Sequence, residues 1–140
     1  MILCCGEALI DMLPRQTSEG RAAFAPHAGG SVFNTAIALG RLGAQVQFFS
    51  GLSTDLFGDV LRNELTASGV DIAPAALSDR PTTLAFVTLT DGHASYAFYD
   101  ENTAGRMLSV DDLPKVTAEA LFFGGISLVV EPCGAAYEAL

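Results

Sequence analysis

The sequence predicts an α/β fold: a small parallel sheet with helical crossovers, from which an antiparallel hairpin projects. Three observations carry that expectation. Short apolar runs recur without polar alternation, as in strands covered on both faces. Segments of helical period, each closed by a glycine, lie between the first of those runs and the middle of the chain. That middle is rich in Thr, Val, Phe and Tyr around an Asp-Gly dipeptide.

Met1 to Cys5 is the first apolar run, stopped by Gly6, and reads as a buried strand. From Ser31 the segment SVFNTAIALGRLG places Val32, Ala36, Leu39 and Leu42 at helical spacing, behind Gly29-Gly30 and ahead of Gly43 as the terminating residue. Val46, Phe48 and Phe49 form the next strand, which completes a right-handed βαβ crossover. A second helix runs from about Asp55 to Ser68, with Asp55 as its N-cap, Leu56, Val60 and Leu65 turned inward, and Gly69 as its stop. Thr82 to Thr90 and Ser95 to Tyr99 then pair about the turn dipeptide Asp91-Gly92. This hairpin is either a lid or an edge extension of the main sheet. Leu121 to Val130 resumes the apolar strand pattern, and Pro132 to Leu140 opens another helix.

Composition narrows the function classes. The 140 residues suit a single domain, and three parallel strands with an unfinished last crossover make half a sheet; a mean hydropathy of +0.38 fits apolar surface left over for a missing half. Residues 1–140 are therefore expected to form one incomplete domain. Seven Lys and Arg against sixteen Asp and Glu, a net charge of −9, exclude a phosphate-backbone binder. The greasiest stretch, Ala120 to Val130, is broken by Gly124, Gly125 and Ser127, so no membrane-spanning helix is expected. Three cysteines, two of them the adjacent Cys4 and Cys5, read as buried thiols of a reducing compartment, and the N-terminus has no signal-peptide pattern: the expected location is the cytoplasm. His27 and His93 lack neighbours at metal-ligand spacing, and no metal site is assigned.

Two features could carry chemistry. In GGSVFNTA, paired glycines at a helix start let a ligand approach the backbone while Asn34 presents an amide one turn in; the same residues also serve as a plain connecting turn. They form neither G-x-G-x-x-G nor a Walker motif. Asp11 follows the first strand at the carboxyl edge, where ligands of open α/β sheets collect, and a carboxylate there can accept hydrogen bonds from two adjacent hydroxyls of a sugar or polyol. On the hairpin, Tyr96 and Phe98 share one face and Ala97 and Tyr99 the other. That aromatic face is either a cover for a ligand or a core or dimer contact.

Taken in order, Gly6-Glu7 with Asp11, the GGSVFNTA, STDLFG and RPTTLAFV blocks, YAFYDENTAGRML and ISLVVEP resemble the ribokinase-like carbohydrate kinases, particularly their bacterial fructokinase branch. The resemblance covers the whole chain. It implies the N-terminal part of a three-layer α/β sandwich with a projecting β-sheet lid, the lid strands falling at about residues 9–28 and 82–100. It further implies ATP-dependent, Mg²⁺-assisted phosphorylation of a fructose hydroxyl, a sugar gripped by Asp11, Gly29, Gly30 and Asn34 and covered by Phe98, and a homodimer through the lid. Glu131, ahead of Pro132, stays outside that set.

Two departures bear on these expectations. Ser53 stands where the family usually has glycine. No G-A-G-D block follows, which in the family supplies the proton-accepting aspartate and the phosphate-holding amides. No catalytic residue is therefore assigned in this chain, the main ATP site is expected to lie outside it, and the chain alone is expected to be inactive, because phosphoryl transfer depends on that positioning and charge. The alternatives are a 2-keto-3-deoxygluconate kinase of the same family and a truncated, non-catalytic sugar-binding module.

Overall fold

The computed structural model describes residues 1–91 and 93–140; Gly92, half of the expected turn dipeptide, lies outside the described residues. In chain order the strands and helices are β1 (Ile2–Cys5), β2 (Leu9–Gln16), β3 (Ala22–Gly29), α1 (Ser31–Arg41), β4 (Val46–Phe49), β5 (Gly51–Ser53), α2 (Leu56–Ala67), β6 (Ala76–Ser78), β7 (Leu84–Thr90), β8 (His93–Tyr99), β9 (Ala120–Phe123) and α3 (Cys133–Ala139). They build a parallel sheet of order β4-β1-β9, a second sheet of order β3-β2-β7-β8, and a short parallel pair, β5-β6.

β1 is the axis of the parallel sheet, and its side chains alternate between two cores. Cys4 packs with Val32, Phe33, Ala36 and Leu65 of the helices on one face, whereas Leu3 and Cys5 pack with Phe49, Leu108 and Tyr137 on the other. The three layers follow from that alternation: α1 and α2 cover one face, and α3 the opposite one. Burial pushes the Cys4 thiol up to about 11 and the Cys5 thiol, also beside Cys4, up to about 12, so both stay protonated and act as small apolar residues.

The helices are where expected, with shifted faces. α1 ends at Arg41, followed by Gly43 at φ 83°, and its buried stripe is Val32, Phe33, Ala36 and Ile37. Leu42 falls past the end of the helix and is 84% exposed, contrary to its expected place in the stripe. In α2, Asp55 caps the first turn and Leu61 and Leu65 are buried, but Leu56 and Val60 face outward at 70% and 43% exposure. A stripe at Gly58, Leu61 and Leu65 satisfies the same period one register away. The expected strand over Leu121 to Val130 stops at Phe123, because Gly125 turns the chain at φ 76° and residues 126–128 form a 3₁₀ turn.

The hairpin is not an extension of the parallel sheet. β7 and β8 pair antiparallel from Leu84↔Tyr99 to Thr90↔His93, and β7 joins β2 in parallel over Ile10–Met12, which seats them in a separate sheet with β3 at its other edge. Asp91 takes φ 53°, a left-handed value that aspartate tolerates in a turn. Two prolines fit this topology: Ile10 N donates to Thr83 O at 3.0 Å, so Pro14, of the same parity but beyond the stretch of β2 that pairs with β7, and Pro26, opposite Met12 on the edge strand, both sit where the ladder needs no N–H.

Candidate functional site

The register of the second sheet brings distant residues into one row. Asp11 of β2 lies opposite His27 of β3 and Ala85 of β7, and Ala85 lies opposite Phe98 of β8. Directly paired residues share a sheet face, so Asp11 and Phe98 point the same way with only the small Ala85 between them. Phe98 stacks on Tyr96 two residues earlier, ring centroids 6.1 Å apart and planes inclined by 18°. Tyr99, on the opposite face, packs edge-on against Phe86 at 5.3 Å.

β3 leads into α1 through Gly29 and Gly30, and each glycine has its own necessity. A Cβ at Gly29 would stand 2.2 Å from Asp11 Oδ2, so a side chain there would occupy the carboxylate's place. Gly30 takes φ 112°, and a Cβ there would approach the Glu7 carbonyl oxygen to 2.8 Å. Asn34 follows one turn into the helix, its N–H donating to the Gly30 carbonyl at 2.9 Å, with its side chain at the helix surface.

These pieces enclose a cleft of about 420 Å³, lined by Leu9, Asp11, Gly30, Asn34, Tyr96 and Phe98, and closed by Glu7, Ser31, Gly125 and Ile126. Four of the five residues singled out from sequence therefore meet in one cavity. Gly29 instead stands behind Asp11 and gives its carboxylate room. Burial raises the Asp11 carboxyl above its ordinary value, and the facing His27 opposes that shift. Among the described residues no donor satisfies this carboxylate, so its lone pairs are available to hydroxyls of a ligand.

Glu7 is the residue that sequence reasoning underrated. Its Oε1 accepts from Ser31 N at 2.8 Å, Ser31 Oγ at 2.7 Å and Val32 N at 3.3 Å, and its Oε2 accepts from Ser127 Oγ at 3.1 Å. The Gly6-Glu7 pair was visible in the sequence, but its partners lie 24 to 120 residues away, beyond any local pattern.

Other candidates resolve as structural. Asp55 accepts from Gly58 N at 2.7 Å, Thr82 N at 2.8 Å and Thr82 Oγ1 at 2.6 Å. Burial alone would raise its carboxyl; these donors, with Ser53, more than offset that and hold it below the ordinary range. Ser53 sits in β5 with its hydroxyl accepting from Asp55 N at 3.0 Å, and among the described non-glycine residues only Asp91 and Asn102 have positive φ, so the turn tolerates serine. Glu131 lies in a neighbouring concavity with Asp100 and Arg106 rather than in the Asp11 cleft. Arg106 is committed there, with Nη1 on Asp100 Oδ2 at 2.8 Å and Nε on the Glu131 carbonyl at 2.9 Å.

The cleft can bind and orient a neutral polyol: a carboxylate acceptor, an amide able to donate and accept, and an aromatic wall for the sugar's apolar face. Among the described residues no group of three or more His, Cys, Asp or Glu side chains could hold a metal ion. A nucleotide's phosphates find no fit beside the cleft either, since the first amides of α1 are filled by Glu7 and the nearby guanidinium of Arg106 is paired. Among the described residues no helix is long and apolar enough to cross a membrane.

Comparison with known proteins gives this arrangement its context. The family model described as pfkB family carbohydrate kinase matches residues 1–140. A fructokinase of Rhizobium leguminosarum bv. trifolii is 60% identical over 142 residues, covering 100% of this chain and 44% of that protein. The crystal structure of fructokinase from Xylella fastidiosa superposes with a TM-score of 0.88 at 32% identity, over 97% of this chain and 46% of that one. Fructokinase from Vibrio cholerae O395, in its fructose, ADP and calcium ion bound form, superposes with a TM-score of 0.84 at 25% identity, over 99% of this chain and 44% of that one. The chain thus spans less than half the length of each of these three relatives.

Proposed function

This chain belongs to the pfkB family of carbohydrate kinases, and on that premise we propose that it is the sugar-gripping part of a fructokinase, the enzyme that transfers the ATP γ-phosphate to a fructose hydroxyl. The observation that carries the reading is the convergence of Asp11, Gly30, Asn34 and Phe98 on one cleft. Asp11 accepts hydrogen bonds from neighbouring sugar hydroxyls, Asn34 pairs with a further hydroxyl, and the Tyr96–Phe98 face of the second sheet acts as the lid over the ring. Excluding water from the sugar is what such a lid contributes to phosphoryl transfer.

ATP and its divalent cation, Mg²⁺ in this proposal, would be held by residues outside this chain's cleft, because the G-A-G-D block is absent from the sequence. Bound there, the nucleotide supplies the phosphoryl group; this chain's residues hold and orient the acceptor. A 2-keto-3-deoxygluconate kinase is disfavoured by charge. Glu7 and Asp11 line the cleft, no cationic side chain lines it among the described residues, and the neighbouring Arg106 already serves Asp100, so a substrate carboxylate meets repulsion there. β8 is an exposed edge strand with Tyr96, Phe98 and Tyr99 all outward, a surface suited to a homodimer through paired lids. Three free, buried cysteines suit a cytoplasmic location.

Calorimetric titration of the 140-residue chain tests the reading. Fructose is expected to bind without ATP, and 2-keto-3-deoxygluconate more weakly by at least tenfold. The chain alone is expected to show no ATP-dependent phosphorylation. Absence of fructose binding by a folded chain overturns the assignment, and turnover by this chain alone overturns the placement of the catalytic groups.

A further inference from the structure

The geometry points to Glu7 as a positioning residue that aims the sugar-gripping turn of α1 by tying three walls of the cleft to one carboxylate. The inference rests on the sugar-binding reading above and adds a residue to it. α1 begins without a cap of its own: Gly30 has no side chain to offer, and no side-chain cap bond comes from that position. Two of the unsatisfied N–H groups of the first turn, those of Ser31 and Val32, are taken instead by Glu7, from the turn between β1 and β2. Its second oxygen reaches the buried Ser127, whose hydroxyl also lies 3.2 Å from the Gly124 carbonyl in the turn after β9.

Sterics fix the same junction from the other side. A Cβ at Gly125 would stand 2.0 to 2.3 Å from the Glu7 carboxylate, and one at Gly30 would stand 2.8 Å from the Glu7 carbonyl oxygen. Both facing positions are glycine, and Gly30, Gly125 and Glu7 all line the cleft. With three donors on Oε1 and one on Oε2, the carboxylate is occupied by the protein and acts on the sugar through Asn34, one turn further along the helix whose start it holds. Charge contributes as well, since an anion at a helix N-terminus is favourable.

The test separates aiming from mere stabilisation, using Glu7→Ala, Glu7→Gln and Ser127→Ala in the 140-residue chain. In folded Glu7→Ala the fructose dissociation constant is expected to rise about tenfold, the loss of roughly one charged hydrogen bond's worth of aim. The Ser31 and Val32 amides are expected to exchange with solvent about tenfold faster. Glu7→Gln keeps an acceptor for Ser31 and is expected within about threefold of the parent; Ser127→Ala, which removes one tie and should fold even if Glu7→Ala does not, is expected to weaken binding about threefold. A lowered thermal midpoint with unchanged fructose affinity in the folded variants overturns the proposal, because a purely structural cap would do just that. Should the parent chain bind no fructose, the sugar reading fails by itself; amide exchange at Ser31 and Val32 and the Asn34 side-chain resonances then decide the Glu7 role, with unchanged signals in Glu7→Ala and Ser127→Ala overturning it.

Discussion

Asp11 and Asp55 are two carboxylates near strand ends in the same small protein, yet they have opposite standing. Asp55 is saturated by Gly58 and Thr82 and held below its ordinary pKa. Asp11 is partly buried, has no donor among the described residues, and is raised. A carboxylate that the fold itself satisfies is a fastener, joining α2 to the strand region at Thr82. One that the fold desolvates without satisfying is held in a state that a hydroxyl-rich ligand relieves. Hydrogen-bond satisfaction, more than proximity to a helix or a strand end, separates the fastener from the proposed sugar ligand here.

The largest expected effect is a double dissociation between the two. Asp11→Ala is expected to raise the fructose dissociation constant by about a hundredfold, since it removes charged acceptors for two hydroxyls, while shifting stability by less than about 1 kcal/mol. Asp55→Ala is expected to cost about 2–4 kcal/mol of stability by removing a cap and leaving Thr82 N without its acceptor, with affinity of the folded chain unchanged. Calorimetry of binding and chemical denaturation, run on both variants, would read the crossing; parallel losses in both assays would erase the distinction.

Gly29→Ala sharpens the comparison. Its Cβ displaces the Asp11 carboxylate rather than backbone, so sugar affinity is expected to fall about tenfold with little loss of stability. Gly30→Ala meets a carbonyl at positive φ and is expected to cost about 1–3 kcal/mol of stability as well. Denaturation curves for the pair distinguish the two glycines.

pH separates the aspartates by sign. Asp55, with its lowered pKa, contributes stability that is present above the unfolded value of about 3.9 and lost as pH falls through its folded value; Asp55→Ala is expected to flatten that acid limb. Asp11, with its raised pKa, favours the folded state while protonated, and that contribution is lost as pH rises through its folded value. Sugar affinity should run the other way, declining as Asp11 protonates at a pH above the ordinary carboxylate value. The smallest expected effect is Phe98→Ala, which removes one aromatic wall and leaves Tyr96; about a threefold loss of fructose affinity is expected by calorimetry.

How far the fold was legible in the sequence depended on range. The glycine-closed helices, the Asp55 cap and the alternation that pairs Tyr96 with Phe98 are local, and all three stand in the structure. Faces were harder: Val60 and Leu61 are adjacent apolar residues, and only the packing of α2 on the sheet decides which is buried. The residues' own periodicity did not disclose β2 and β3 as strands; the family resemblance implied only an approximate span, and the register that puts Asp11 in line with Phe98 is visible in the structure alone. Glu7 escaped for the same reason, since a carboxylate acting across 120 residues leaves no short motif.

Most direct of all is the Asp11 side-chain carboxyl signal, followed by carbon NMR through an acid titration with and without saturating fructose. If sugar hydroxyls donate to this carboxylate, its pKa, raised in the free chain, falls on saturation while that of Asp55 stays fixed. A titration curve for Asp11 that fructose leaves unmoved would contradict the grip assigned to it.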